Sequence, residues 1–391
     1  MRVNKTAYRS IWLNTDGESV DVIDQTLLPH RFEIRGLKNL HDAEQAIKNM
    51  IVRGAPLIGA TAAYGMALAM NTDPSDTTLE EAHGCLLTAR PTAVNLRWAL
   101  DEMREVLHPL APAQRKQIAY QHAAKICDDD VDMNRAIGEH GLKIIRDIAA
   151  KKTADETINI MTHCNAGWLA TVDWGTALAP IYLAHDAGLK IHVWVSETRP
   201  RNQGASLTAW ELGQHGVRHT IIVDNAAGHL MRKGEVDIVI VGCDRAAANG
   251  DACNKIGTYL KALAAKDNDV PFYVALPGPT IDWALADGEN IPIEERSATE
   301  VSQVFGRNKH HGISAVGVTP QDSAVANPGF DMTPARLVTG LITERGVCAA
   351  SLEGLRKLYP SNVIARSAAT KQSRSSAAAK NEIASSFHSS Q

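Results

Sequence analysis

The chain has 391 residues, 45% of them hydrophobic and 21% charged, a globular mix with room for two domains at roughly 100–200 residues each and incompatible with wholesale disorder. Forty Lys and Arg stand against 44 Asp and Glu, a net charge of −4, which argues against a protein that coats nucleic acid or anionic membrane. No run approaches the ~18 apolar residues of a membrane span, and the opening MRVNKTAYRSIWLN lacks the apolar stretch of a signal peptide, so a cytoplasmic location is expected.

In chain order, SIWLN (10–14) and DVIDQTLL (21–28) read as short strands. From about Leu40 to Lys152 the pattern is helical: AEQAIKNMIV, TAAYGMALAM, AVNLRWALDEMREVL and the run from Ala113 to Ile126 place apolar residues at helical spacing. From about Thr157 the period shortens. TINIMTHC, KIHVWVSET, HTIIVD, VDIVIVGCD and PFYVALP are β-branched runs that alternate with helical stretches such as ALAPIYLAHDAGL, SLTAWELGQHG and NKIGTYLKALAAKD. Such alternation implies βαβ units and a parallel sheet covered on both faces. The expected fold class is α/β: a small, mostly helical N-terminal domain (1–152, with its short leading strands) and a Rossmann-like, doubly wound domain (153–359). Residues 360–391, rich in Ser and Ala, read as a disordered tail.

In an open parallel sheet, ligands bind beyond the carboxyl ends of the strands. Four runs deliver Cys164, Glu197, Asp224 and Asp244 to that rim. Asp224 fits capping or structural support as well as chemistry. Asp244 ends a nearly all-apolar strand, where desolvation raises a carboxyl pKa and suits it to act as an acid. Cys164 stands where the chain leaves a strand, so backbone N–H groups can favour a thiolate. A Cys-His-Asp hydrolase is the rival there, although His163 is adjacent and neighbouring strand side chains point to opposite faces. The other five cysteines, at 85, 127, 243, 253 and 348, read as small buried hydrophobes, since no Cys-x-x-Cys or zinc spacing occurs.

Arg53-Gly54-Ala55-Pro56-Leu57-Ile58-Gly59 has the composition of a phosphate cradle: proline for a first helical turn, glycine for close backbone approach, arginine for charge. A helix start whose small residues merely allow close packing fits it equally. It is not a Walker loop, and no G-x-G-x-x-G occurs, so ATP and NAD have no support. Arg90, in Arg90-Pro91-Thr92, offers a second cation at a helix start, and Asn254-Lys255 add an amide and an ammonium after Asp244. Lys309-His310-His311-Gly312 reads as a solvated loop. Trp168, Trp174, Trp194, Trp210 and Trp283 read as core or rim packing, with Trp168 and Trp194 placed to exclude water from the site.

Together, RGAPLIGATAAYG (53–65), RPTAVNLRWAL (90–100), MTHCNAGWLAT (161–171), ETRPRNQGASLTAWEL (197–212), GCDRAAANGDACNKIGTY (242–259) and GFDMTPARLVTGLITERGV (329–347) resemble the S-methyl-5-thioribose-1-phosphate isomerases of methionine salvage. The resemblance runs from YRSIWLN to about Tyr359. It implies a homodimer that takes a phosphorylated pentose and needs neither metal nor organic cofactor. It also implies Cys164 and Asp244 as the catalytic pair, with substrate contacts at Arg53, Gly54, Ala55, Arg90, Gln203, Asn254 and Lys255. The arginine role goes to Arg90, because the family often has an apolar residue where this chain has Arg97. Related alternatives are ribose-1,5-bisphosphate or 5-deoxyribose-1-phosphate isomerisation, or a non-catalytic regulatory subunit of initiation factor 2B. Retention of both Cys164 and Asp244 speaks against the last.

Overall fold

The computed structural model describes residues 1–360 apart from Pro91, Ala154 and His311. The tail expectation therefore falls almost wholly outside the described residues.

The N-terminal part opens with an antiparallel sheet of β1 (Ile11–Leu13), β2 (Val20–Ile23) and β3 (Ile34–Leu37). The first two are the strands predicted from sequence. Helices α1 (Leu40–Lys48), α2 (Ala55–Thr72), α3 (Asp76–Ala89), α4 (Val94–Leu107) and α5 (Pro112–Ala149) follow. Apolar on every side, α2 is almost wholly buried at the centre of these helices.

The run from Ala113 to Ile126 belongs to one unbroken helix of 38 residues, α5, which fills the end of the region expected to be helical as far as Lys152. The acidic run Asp128–Asp132 lies within it. Asp130 alone of that run turns inward, where it accepts the Val172 amide at 2.7 Å. Gly138 and Gly141 belong to the same helix because α6 (Ala179–Asp186) crosses there: a Cβ on Gly141 would stand 2.8 Å from Pro180 Cβ. Helix propensity is given up for close packing.

The C-terminal part is a seven-stranded sheet in the order β16-β15-β10-β7-β4-β5-β6. Its strands are β4 (Ile158–Thr162), β5 (Ile191–Ser196), β6 (His219–Ile222), β7 (Ile238–Val241), β10 (Phe272–Ala275), β15 (Gly340–Thr343) and β16 (Gly346–Cys348). Every pair is parallel except β15 with β16. The five predicted strands form its centre and one edge. Alternation along β7 sorts the core, as the pleat requires: Ile238 and Ile240 pack toward α5, α6 (Ala179–Asp186) and α7 (Ala209–His215), Val239 and Val241 toward α8 (Ala226–Arg232) and α9 (Thr258–Asp267). Both faces are covered, as a doubly wound sheet demands.

A second, four-stranded sheet leans over the carboxyl rim. It comprises β8 (Arg245–Ala247), β9 (Ala252–Lys255), β11 (Ile281–Asp282) and β14 (Phe330–Thr333), in the order β11-β8-β9-β14. NKIGTYLKALAAKD therefore begins as strand, with Asn254 and Lys255 on β9, and turns helical only after Gly257 at φ +98°. A hairpin of β12 (Gln303–Arg307) and β13 (Ile313–Gly317) projects nearby, and α10 (Leu352–Leu358) closes the described chain. His310, in the hairpin turn, is exposed as expected of a solvated loop. No described helix is long and apolar enough to cross a membrane.

Candidate active site

The rim of the large sheet, the start of α2 and strand β9 enclose one cavity. Arg53, Gly54, Ala55, Arg90, Cys164, Gln203, Asp244, Asn254 and Lys255 all line it. The catalytic pair and the substrate contacts implied by the resemblance thus lie in one place, brought there from both parts of the chain.

Cys164 follows β4 by two residues and adopts φ +63°, a left-handed conformation that is strained for a residue with a Cβ. Its amide donates to Thr198 Oγ1 at 2.8 Å, its carbonyl accepts from Thr208 Oγ1 at 2.7 Å, and its thiol donates to Gln203 Oε1 at 3.4 Å. Burial pushes the thiol pKa up, with Arg53 and Lys255 pulling against it. His163 lines the cavity but does not pair with Cys164. Its Nε2 meets the Ile256 carbonyl at 2.8 Å, and burial holds its pKa well below the ordinary value, so the ring is neutral. That disposition removes the Cys-His hydrolase arrangement.

Asp244, half-buried on the cavity wall, is anchored by its amide to the Cys253 carbonyl at 2.9 Å. Desolvation raises its carboxyl pKa, opposed by Lys255, Arg53 and Arg90. Glu197 and Asp224 reach the rim but do not line the cavity. Asp224 is structural: it accepts from Ser196 Oγ and the amides of Thr198 and Arg199 at 2.7–2.8 Å, holding the turn that carries Gln203.

The α2 start shows the close packing that one of the two sequence readings expects. Gly54 caps the helix at φ +92°, and a Cβ there would lie 2.6 Å from Ala170 Cα. Pro56 occupies the first turn, and the helix N-terminus opens onto the cavity beside Arg53, a suitable anion site. Gly59 serves packing, since its Cβ would lie 2.9 Å from the Asn95 carbonyl of α4. Lys255 is buried over the Phe330 ring, 4.5 Å from its centroid, and burial lowers its pKa. Asn254 Nδ2 donates to Thr258 Oγ1 at 3.1 Å.

Two placements differ from the sequence reading. Arg90 caps the C-terminal end of α3 rather than starting a helix. Trp168 and Trp194 do not line the cavity: Trp168 is core beneath it, and Trp194 donates to the Glu235 carbonyl. Met50 and Phe330 supply apolar wall instead. Arg97 is not a lining residue either.

The sequence reading missed the web behind Arg53. Both ends of the Arg53 guanidinium donate to Asn165, to its side-chain oxygen and, at 2.7 Å, to its carbonyl. Asn165 Nδ2 donates in turn to Glu211 Oε1 at 2.7 Å. Glu211, 1% exposed, also accepts from the amides of Trp168 and Leu169 and from the Tyr182 hydroxyl. Desolvation pushes its pKa up to about 7. A Cβ on Gly167 would stand 2.6 Å from Glu211 Cδ, so the glycine makes room for this carboxylate. The signal available was the lone charged residue in the SLTAWEL run.

Residues 51–350 match the initiation factor 2 subunit family. Over 361 residues the chain is 62% identical to a methylthioribose-1-phosphate isomerase of Brucella anthropi, covering 92% of this chain and 99% of that protein. A namesake from Paramagnetospirillum magneticum is 63% identical with the same coverage. Among solved structures, the 5-methylthioribose 1-phosphate isomerase of Pyrococcus horikoshii superposes with a TM-score of 0.78 at 39% identity, covering 90% of this chain and 96% of that one. The A. fulgidus protein described as translation initiation factor eIF-2B, subunit delta, gives 0.74 at 38%, covering 90% and 99%. Family match, near-complete coverage and identity above 60% agree: the chain belongs to the initiation factor 2 subunit family, among its methylthioribose-1-phosphate isomerases.

Proposed function

We propose that the chain converts S-methyl-5-thioribose 1-phosphate to S-methyl-5-thioribulose 1-phosphate in methionine salvage, as a cytoplasmic homodimer. The observation that carries this reading is a single cavity holding the Cys164 thiol and the Asp244 carboxyl between two buried cations, Arg53 and Lys255.

Phosphate on C1 prevents the sugar ring from opening to a free aldehyde. Protonated Asp244 gives its proton to the ring oxygen as the C1–O bond to the ring breaks. The C2 hydrogen moves to the electron-deficient C1 with its electron pair, and the C2 hydroxyl returns a proton to the Asp244 carboxylate, leaving a ketone. The alternative route passes the C2 hydrogen as a proton to a Cys164 thiolate and then to C1. Burial favours the neutral thiol, which supports the hydride route and leaves Cys164 and Gln203 to shape and polarise the site. Arg53, Lys255 and the α2 N-terminus, with Gly54 and Ala55, hold the phosphate, and Arg90 and Asn254 contact the rest of the substrate.

The test is turnover of S-methyl-5-thioribose 1-phosphate, ribose 1,5-bisphosphate and 5-deoxyribose 1-phosphate side by side. Efficient conversion of the first, with retained phosphate, supports the reading. Inactivity on all three would favour a regulatory subunit.

A further inference from the structure

We propose that Glu294 determines specificity by neutralising Arg90, so that only an uncharged group is accepted at the end of the sugar remote from the C1 phosphate. The inference rests on the isomerase reading and deepens it. Past Asp244 and Arg90 the cavity continues into a second lobe with Ile58, Ala93, Ile291, Pro292 and Phe330 among its walls. Two cations, Arg90 and Arg245, also line it, and each already faces a carboxylate. Arg90 Nη2 lies 3.2 Å from Glu294 Oε2. Arg245 Nη1 lies 3.6 Å from Asp282 Oδ2, while its Nη2 donates to the Thr92 carbonyl.

The first lobe is charged differently. Among the described residues neither Arg53 nor Lys255 forms an ion pair, and the α2 N-terminus adds its own partial positive charge. Positive charge, opposed in the lining only by the Asp244 carboxyl that both lobes share, is thus concentrated where the phosphate belongs, and the second lobe offers apolar wall and paired cations.

Glu294 cannot swing aside at little cost, because its other oxygen, Oε1, accepts from Arg296 Nη1 at 2.7 Å. Arg296 is itself fixed by Glu300, at 2.6 and 2.9 Å, and Glu300 also pairs with Arg201 at 3.0 Å. The Arg90 and Glu294 side chains are 11% and 24% exposed, so water screens the pair only weakly. A second phosphate entering this lobe finds the lining Arg90 already paired and must displace Glu294, which stands behind it, to use that charge. A thioether needs no such charge. Rejection by a cation already paired is a direct way to separate two sugars that differ only at C5.

The experiment compares wild type, Glu294→Gln and Arg90→Gln on S-methyl-5-thioribose 1-phosphate and ribose 1,5-bisphosphate. The readout is the ratio of the two kcat/KM values. Freeing one buried charge-assisted hydrogen bond for the second phosphate should raise the bisphosphate ratio by about tenfold or more in Glu294→Gln. In Arg90→Gln, which leaves Glu294 without its cation there, the ratio should fall. Equal effects on both substrates, or an unmoved ratio, overturn the proposal. A wild type that fails to convert the methylthio sugar at all rejects the isomerase reading instead, so the two failures are distinguishable.

Discussion

Replacing Asp244 with Asn removes a proton donor while changing little else. The carboxamide is nearly isosteric, and the bond that fixes the residue, its amide to the Cys253 carbonyl at 2.9 Å, belongs to the backbone and survives. Desolvation raises the Asp244 pKa in the wild type, which keeps the carboxyl competent as an acid. An amide has no proton to give at the ring oxygen. Loss of a positioned general acid costs about 10²–10⁴-fold, equivalent to about 3–5 kcal/mol of barrier at 1.36 kcal/mol per decade. Beside Arg53, Arg90 and Lys255 a carboxamide is as uncharged as the protonated carboxyl it replaces, so phosphate binding should not weaken. The loss should therefore fall on kcat, with KM unchanged or lower. Steady-state detection of the ketose product, together with a melting curve, separates these effects. A kcat within threefold of wild type, or a loss expressed only as a raised KM, would refute the assignment of Asp244 as the acid. The wild-type kcat should in turn decline as pH rises through the elevated pKa of this group.

Product formed in deuterium oxide at low conversion should carry little deuterium at C1, because burial favours a protonated Cys164 thiol; substantial C1 deuterium by mass analysis would establish the proton route. Gly54→Ala forces a Cβ onto a φ of +92° and to within 2.6 Å of Ala170 Cα, so a loss of at least ~2 kcal/mol and several degrees in melting temperature is expected; an unchanged melting temperature would contradict the packing described. Glu211 has a folded pKa of about 7 against an ordinary 4.5, so the folded state binds its proton more tightly and this group's contribution falls as pH rises from about 4.5 to 7. Glu211→Gln should be less stable than wild type, by a deficit that shrinks across that window by about 3 kcal/mol; a deficit that is constant or grows between pH 5 and 8, by denaturant titration, would sink the assignment.

The strands that build the rim were legible because each carries a local signal: a short β-branched run ended by a polar residue, as in Ile238–Val241 before Asp244. Rules for parallel sheets then place Cys164 and Asp244 together without any contact being known. Long-range effects were hidden. The smaller sheet that carries Asn254 and Lys255 pairs β9 with β14, nearly eighty residues later in the chain, and neither strand is apolar enough to announce itself. The 38-residue α5 carries an acidic run and two glycines, and why the glycines are there shows only once α6 is packed against them. The Glu211 web was invisible for a related reason: its donors come from 165, 168, 169 and 182, which converge only in three dimensions. Trp168 and Trp194 misled because bulk near a motif says nothing about which side of the sheet it occupies.

The most direct test follows S-methyl-5-thioribose 1-phosphate labelled with carbon-13 at C1 and C2 by nuclear magnetic resonance in the presence of the purified chain. The account predicts that C2 becomes a ketone carbon and C1 a methylene still coupled to phosphorus, with no release of inorganic phosphate. An unchanged spectrum, or free phosphate with an aldose product, would contradict it.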